Sequence, residues 1–186
     1  MRTIDTRGLS CPQPLVLFHQ AIAENADTPL DVLVDNEAGV LSQVSRLFTR
    51  KGYNIESLAV GTTEDPTMSR MTIVGQGDDH ILEQVEKQLN KLVEVIKVRT
   101  LEENSLIGRE LMILKVNANN KTRQDIMTIC EIMGAKVDDI SPPSLTLELS
   151  DTPDRLDTFQ SMMRPFSILE VARTGVIAVQ KGGGKI

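Results

Sequence analysis

The sequence predicts an α+β fold: two ferredoxin-like βαββαβ domains with an extra βα segment in front. Three observations carry that prediction. Residues 30–100 run in the order strand, helix, strand, strand, helix, strand, and residues 109–181 repeat that order. The helices each bear one apolar stripe and the strands are short, so a four-stranded sheet with two helices on one face buries every stripe. The length of 186 residues suits two small domains. The repeat is one of element order, not of sequence identity. With four Phe, one Tyr and no Trp, the cores must be built from Val, Ile, Leu and Met.

The first 29 residues form only half a domain. Thr3-Ile4 reads as a strand, and Arg7-Gly8-Leu9-Ser10-Cys11-Pro12 leads into a helix with Leu15, Phe18, His19 and Ile22 on one side. Such a segment is too short to bury a core alone. The first full domain spans 30–100. Leu30 to Val34 is a buried strand, and Asn36-Glu37-Ala38-Gly39 opens a helix whose Val40, Leu41, Val44, Leu47 and Phe48 share a face. Arg50-Lys51-Gly52 is its basic last turn and glycine stop. Asn54 to Val60 is the next strand, Thr62 to Pro66 a loop, and Met68 to Val74 the hairpin partner. Asp78 or Asp79 caps a helix with Ile81, Leu82, Val85 and Leu89 inward, and Glu83 and Lys87 pair on its wet face. Val93 to Val98 closes the domain.

Residues 101–108 are polar and read as a linker. The second domain spans 109–181. Glu110 to Val116 is a strand, and Thr122 caps a helix carrying Ile126, Ile129, Cys130 and Met133 before Gly134. Lys136 to Ile140 and Leu145 to Leu149 flank a Ser141-Pro142-Pro143 turn. Pro153 starts a helix with Leu156, Phe159 and Met163 inward, and Glu170 to Val179 closes as one strand. Residues 182–186 read as a flexible tail, whose glycines lack the spacing and following helix of a phosphate loop.

Composition excludes several functions. A net charge of −6 argues against broad nucleic-acid binding, which needs a basic face. No apolar run approaches the ~18 residues of a membrane span, and Met1 to Asp5 lacks the apolar stretch of a signal peptide. Two distant Cys make no disulfide framework, and with two His they make no local metal cluster. The expectation is a cytoplasmic chain with reduced thiols and no cofactor of its own.

The strongest chemical feature is Val34-Asp35-Asn36-Glu37-Ala38-Gly39-Val40-Leu41. A strand ends, a polar side chain appears, and a helix begins. First-turn N–H groups lack intrahelical partners and carry partial positive charge, so a small carboxylate docks well there. Gly39 has no Cβ to obstruct a ligand, and Asn36 both donates and accepts. Asn54, at the start of the next strand, is expected near the same end. The plainer alternative is that Asn36 is an N-cap and Gly39 a packing glycine.

The stretch DNEAGVLSQVSRLFTRKGYNIESLAVGTTEDPTMSRMTIV, the run LEQVEKQLNKLVEVIKV and the ending ILEVARTGVIAV closely resemble the regulatory (small) subunit of acetolactate synthase. The similarity is continuous from about residue 31 to 181. It implies an N-terminal ACT domain, the kind that binds amino acids, and a C-terminal domain of related topology. It also implies a subunit without chemistry of its own, which dimerises and binds valine or another branched-chain amino acid between ACT domains. Such a subunit activates a large catalytic subunit, to which thiamine diphosphate, Mg and FAD would belong. By the same resemblance Asn36, Gly39, Val40, Leu41, Asn54 and Ile55 match effector-binding positions, and Ser42 a position near that pocket.

Residues 1–35 instead resemble the first βαβ of small sulfur carriers of the TusA type, through DTRGLSCPQP and LDVLVDN. There Cys11-Pro12-Gln13-Pro14 places a thiol at a helix N-terminus, where its pKa falls and the thiolate that carries sulfur is favoured. Only half of such a module is present. A sulfur carrier using Cys11, or a free-standing amino-acid sensor, is therefore the alternative function. Cys130 reads as a core residue, the acidic pairs Glu64-Asp65 and Asp138-Asp139 as solvated charge, and His19 and His80 have no assigned role.

Overall fold

The computed structural model describes residues 28–75 and 79–183. The chain divides into two compact units, with the boundary at Leu106–Ile107 and Gln180 to Gly183 returning to the first unit.

In the first unit the order is β1 (Thr28–Asp35), α1 (Val40–Lys51), β2 (Ile55–Thr62), β3 (Met68–Gly75), α2 (Asp79–Leu89) and β4 (Val95–Thr100). The sheet order is β2-β3-β1-β4. Strand β3 is antiparallel to both β1 and β2, from Thr28↔Gly75 to Asp35↔Met68 on one side and Ile55↔Gly75 to Thr62↔Ser69 on the other. Hence β1 and β2 are parallel, as a β-α-β crossover requires. Alternate residues Leu30, Val32, Val34, Met71, Ile73 and Val98 point to one face. They pack with Val40, Val44 and Phe48 of α1 and Leu82, Val85 and Leu89 of α2 in a single buried cluster. Helix α1 stops where the sequence says: Gly52 sits at φ 71° and returns its N–H to the carbonyls of Phe48 and Thr49.

Two boundaries differ from expectation. The last strand starts at Val95, not Val93: Val95 N–H closes a turn on Leu92 (3.2 Å), and Val93 is 93% exposed. Helix α1 starts at Val40 with Gly39 as its N-cap residue, so neither Asn36 nor Gly39 lies in the first helical turn.

The second unit follows a 3₁₀ turn at Glu103–Ser105. It comprises β5 (Leu106–Asn117), α3 (Arg123–Met133), β6 (Lys136–Ser141), β7 (Ser144–Asp151), α4 (Pro153–Met163), β8 (Ile168–Arg173) and β9 (Ile177–Gln180). Its sheet order is β6-β7-β5-β8, and β9 also pairs with β5. Ile126, Cys130, Met133, Leu156, Phe159 and Met163 close the core over Met112, Leu114, Val116, Leu145, Leu147 and Leu149. Residues 106–108, read as linker, are the start of β5. The closing strand, read as continuous over 170–179, is two strands. Gly175 breaks it at φ 78°. Buried Glu110 holds that corner, accepting from Arg173 Nη2 (2.6 Å) and the Gly175 N–H (3.1 Å).

Candidate functional site

Asn36 leaves β1 at its C-terminal end and is gripped by the β2–β3 hairpin loop. Its backbone N–H donates to Thr67 O (2.7 Å) and its Nδ2 to Pro66 O (2.9 Å), while Oδ1 accepts from Ser69 Oγ (2.9 Å). The side chain therefore does not cap α1. It stays exposed, with one amide N–H and one lone pair beyond those bonds.

The loop that holds it is stapled by Asp65. Oδ1 of Asp65 accepts from the Thr67 N–H (2.9 Å) and Thr67 Oγ1 (2.7 Å), and the Asp65 carbonyl accepts from Thr63 Oγ1 and the Met68 N–H, each at 3.0 Å. The two Thr67 hydrogen bonds hold the Asp65 carboxyl below its ordinary value. Asp65 is thus a turn former rather than merely solvated charge. Glu64 is exposed, and so are Asp138 and Asp139, the latter accepting from Ser141 Oγ (2.9 Å).

Beyond Asn36 the chain turns through exposed Glu37, Ala38 and Gly39. Gly39 has φ 98°, a backbone that side-chain-bearing residues rarely adopt, and the space where a Cβ would stand is open to 4 Å. No side chain caps α1 and its first turn carries no acid, so the positive end of the helix is not neutralised from within. Behind it Gln43 Nε2 donates to Glu94 Oε1 (2.8 Å), which lowers the Glu94 pKa. Val40 is core, 3% exposed, whereas Leu41 is 42% exposed and Ser42 also faces outward. This end of the sheet therefore offers a neutral amide, an uncapped helix terminus and an apolar side chain. That combination suits a small amphiphile with a carboxylate.

Asn54 is not at this end. Because β1 and β2 are parallel, the residue that ends β1 and the residue that precedes β2 lie at opposite ends of the sheet, about 24 Å apart over an eight-residue strand. Asn54 is exposed, beside half-buried Ile55, and its carbonyl lies 3.0 Å from where a Cβ on Gly75 would stand. Asn36, Gly39, Val40 and Leu41 thus form one group, and Asn54 and Ile55 a second.

The supporting residues Pro66, Thr67, Ser69, Gln43 and Glu94 escaped the sequence reading. The run Asp65-Pro66-Thr67 carried a turn signal that could have found part of this set. Cys130 is buried in the second core, and desolvation pushes its thiol from 9.0 to about 11, the opposite of a reactive cysteine. His80 is exposed, its ring 2.8 Å from Gln84 Nε2. Cys11, His19 and the rest of residues 1–27 lie outside the described residues, while the LDVLVDN part of the sulfur-carrier resemblance falls on β1 and the Asn36 that follows it. Among the described residues no group of three or more His, Cys, Asp or Glu could hold a metal, and no helix is long and apolar enough to cross a membrane.

Comparison with known proteins adds independent observations. Residues 30–97 match a family model described as an AHAS small subunit-like ACT domain, and residues 109–182 one described as the small subunit of acetolactate synthase. An acetolactate synthase small subunit of Mycolicibacterium smegmatis is 48% identical over 153 residues, covering 82% of this chain and 90% of that protein. The acetolactate synthase isozyme 3 small subunit of Escherichia coli K12 is 44% identical over 154 residues, covering 82% and 94%. The crystal structure of the acetolactate synthase small subunit from Thermotoga maritima superposes with a TM-score of 0.80 at 34% identity, covering 86% of this chain and 99% of that one. Neither family model extends over residues 1–29.

Proposed function

The chain belongs to the family of acetolactate synthase small subunits, regulatory subunits that work with a catalytic subunit, and from that premise we propose that it binds valine, or a related branched-chain amino acid, between the ACT domains of two copies. The observation that carries this reading is the separation of Asn36 from Asn54. One chain cannot place both on one amino acid, but two chains can.

Among the described strands β2 ends its sheet, next to β3, with Val60 47% exposed. Two copies that pair their β2 edges antiparallel about a two-fold axis reverse the ends. The Asn54 end of one copy then lies toward the Asn36 end of the other. Helix α1 crosses from β1 to β2 over β3, and its exposed Leu41 lies on the first turn. In this arrangement the α-carboxylate sits at the uncapped start of α1, Asn36 and the partner copy's Asn54 read polar groups, and Leu41 meets the branched side chain. The ligand then acts as glue for one arrangement of the pair, which is how differential affinity becomes regulation.

No step of the reaction falls to this chain. Its part is to bind the catalytic subunit, raise its rate, and report valine to it. Reconstitution tests this directly. The chain alone should lack acetolactate synthase activity. Added to its cognate catalytic subunit, it should raise the rate and make it valine-sensitive. Saturating amounts that neither co-purify with the catalytic subunit nor alter its rate contradict the reading.

A further inference from the structure

We propose that Ser69 and Asp65 are positioning residues for effector recognition, acting through the Asn36 side chain; this rests on the assignment of Asn36 to the effector site. A free asparagine amide flips between two orientations that exchange its oxygen and nitrogen. Here the flip is blocked. Ser69 Oγ–H donates to Oδ1 and the Pro66 carbonyl takes an N–H from Nδ2, each at 2.9 Å. Reversing the amide would set its oxygen against the Pro66 carbonyl, acceptor against acceptor, and lose that bond, and it would force the Ser69 hydroxyl to turn from donor to acceptor.

The two holding groups come from different places. Ser69 is 6% exposed, fixed in β3 opposite Val34 of β1. Pro66 O belongs to the hairpin loop, and the loop owes its shape to the Asp65 carboxylate, which ties down the Thr67 N–H and hydroxyl. The Thr67 carbonyl in turn receives the Asn36 backbone N–H at 2.7 Å. One strand side chain and one self-stapled loop thus preset the orientation in which Asn36 meets its ligand. Preorganised hydrogen-bonding groups cost the ligand less ordering on binding.

The motif Asp65-Pro66-Thr67-Met68-Ser69 is therefore a recognition support, although neither Asp65 nor Ser69 need touch the ligand. Its two members act on one target, so their effects must be lost when the target is lost. The experiment is valine binding by calorimetry and the valine dose–response of the complex reconstituted from the full chain. It compares wild type, Ser69→Ala, Asp65→Ala, Asn36→Ala, and the doubles Ser69→Ala/Asn36→Ala and Asp65→Ala/Asn36→Ala. Each support variant should weaken valine by about 3- to 10-fold, the loss of one neutral hydrogen bond. In the Asn36→Ala background neither should weaken it further. A residue that merely stabilises the fold would not show that selective silence. If Ser69→Ala unfolds the chain, Asp65→Ala, on an accessible loop, carries the test. Wild-type affinity in both support variants, with Asn36→Ala impaired, overturns the positioning role and leaves the effector site standing. Full additivity with Asn36→Ala also overturns it. Wild-type affinity in Asn36→Ala removes the effector-site assignment and this inference together.

Discussion

At the residue scale, Gly39 and Cys130 show what exposure and backbone decide. Gly39 holds φ 98° with open space around its missing Cβ. A side chain there meets no steric wall, but it must adopt a strained backbone costing about 1–3 kcal/mol. Gly39→Ala should therefore lower stability by about that amount in urea melts. Gly39→Asp should add a negative charge where the effector's carboxylate is proposed to lie, and abolish valine inhibition in a chain that still folds. Wild-type valine inhibition in folded Gly39→Asp would place the carboxylate elsewhere. Cys130 makes the opposite prediction. Its thiol is 2% exposed and its pKa is raised to about 11 by desolvation. In a Cys11→Ser background at pH 8, Cys130 should alkylate no faster than the chain unfolds, and at the ordinary thiol rate only in denaturant. Rapid alkylation of the native protein would contradict its placement in the core. Because the folded pKa lies above the unfolded one, the contribution of this thiol to stability is intact below about pH 9 and is lost as pH rises toward 11.

At the scale of elements, the periodicities of 3.6 and 2 made the helices and most strands legible, because apolar stripes state which face is buried. Val40, Val44 and Phe48, or Leu156, Phe159 and Met163, needed no structure to be recognised as inward. What patterning cannot express is a polar residue that organises a corner. Glu110 looked like the first residue of a strand. In the fold it is 6% exposed and accepts from Arg173 and the Gly175 N–H, where the last strand breaks in two. Its hydrogen bond is the first cause of the raised Arg173 pKa, followed by desolvation, which opposes it, and by Asp157 on the same guanidinium. Glu110→Ala leaves a half-buried guanidinium and a backbone N–H without that acceptor. It should cost about 2–4 kcal/mol in urea unfolding, read on the second unit, whereas Glu170→Ala at the exposed Lys115 pair should cost under about 1 kcal/mol. Equal effects would mean that Glu110 is no keystone. Asn36 teaches the same lesson: a polar residue before a helix reads as a cap, yet its partners are Pro66 and Ser69, some thirty residues away in sequence.

At the scale of the whole molecule, the element order sufficed to deduce a sheet whose first two strands are parallel. That deduction alone separates Asn36 from Asn54, and the expectation that they share an end overlooked it. Local motifs say which residues suit a ligand; strand direction says whether one chain brings them together. The candidate site, on this account, is complete only in a pair of chains. Its most direct test uses two variants, Asn36→Ala and Asn54→Ala, carrying different affinity tags and co-expressed so that the mixed dimer is purified by both. In the mixed dimer one interface site carries both alanines and the other retains both asparagines. Each homodimer should bind valine weakly, while the mixed dimer should bind one valine with wild-type affinity. Weak binding throughout the mixed dimer, as expected if both asparagines served a site within one chain, would contradict it.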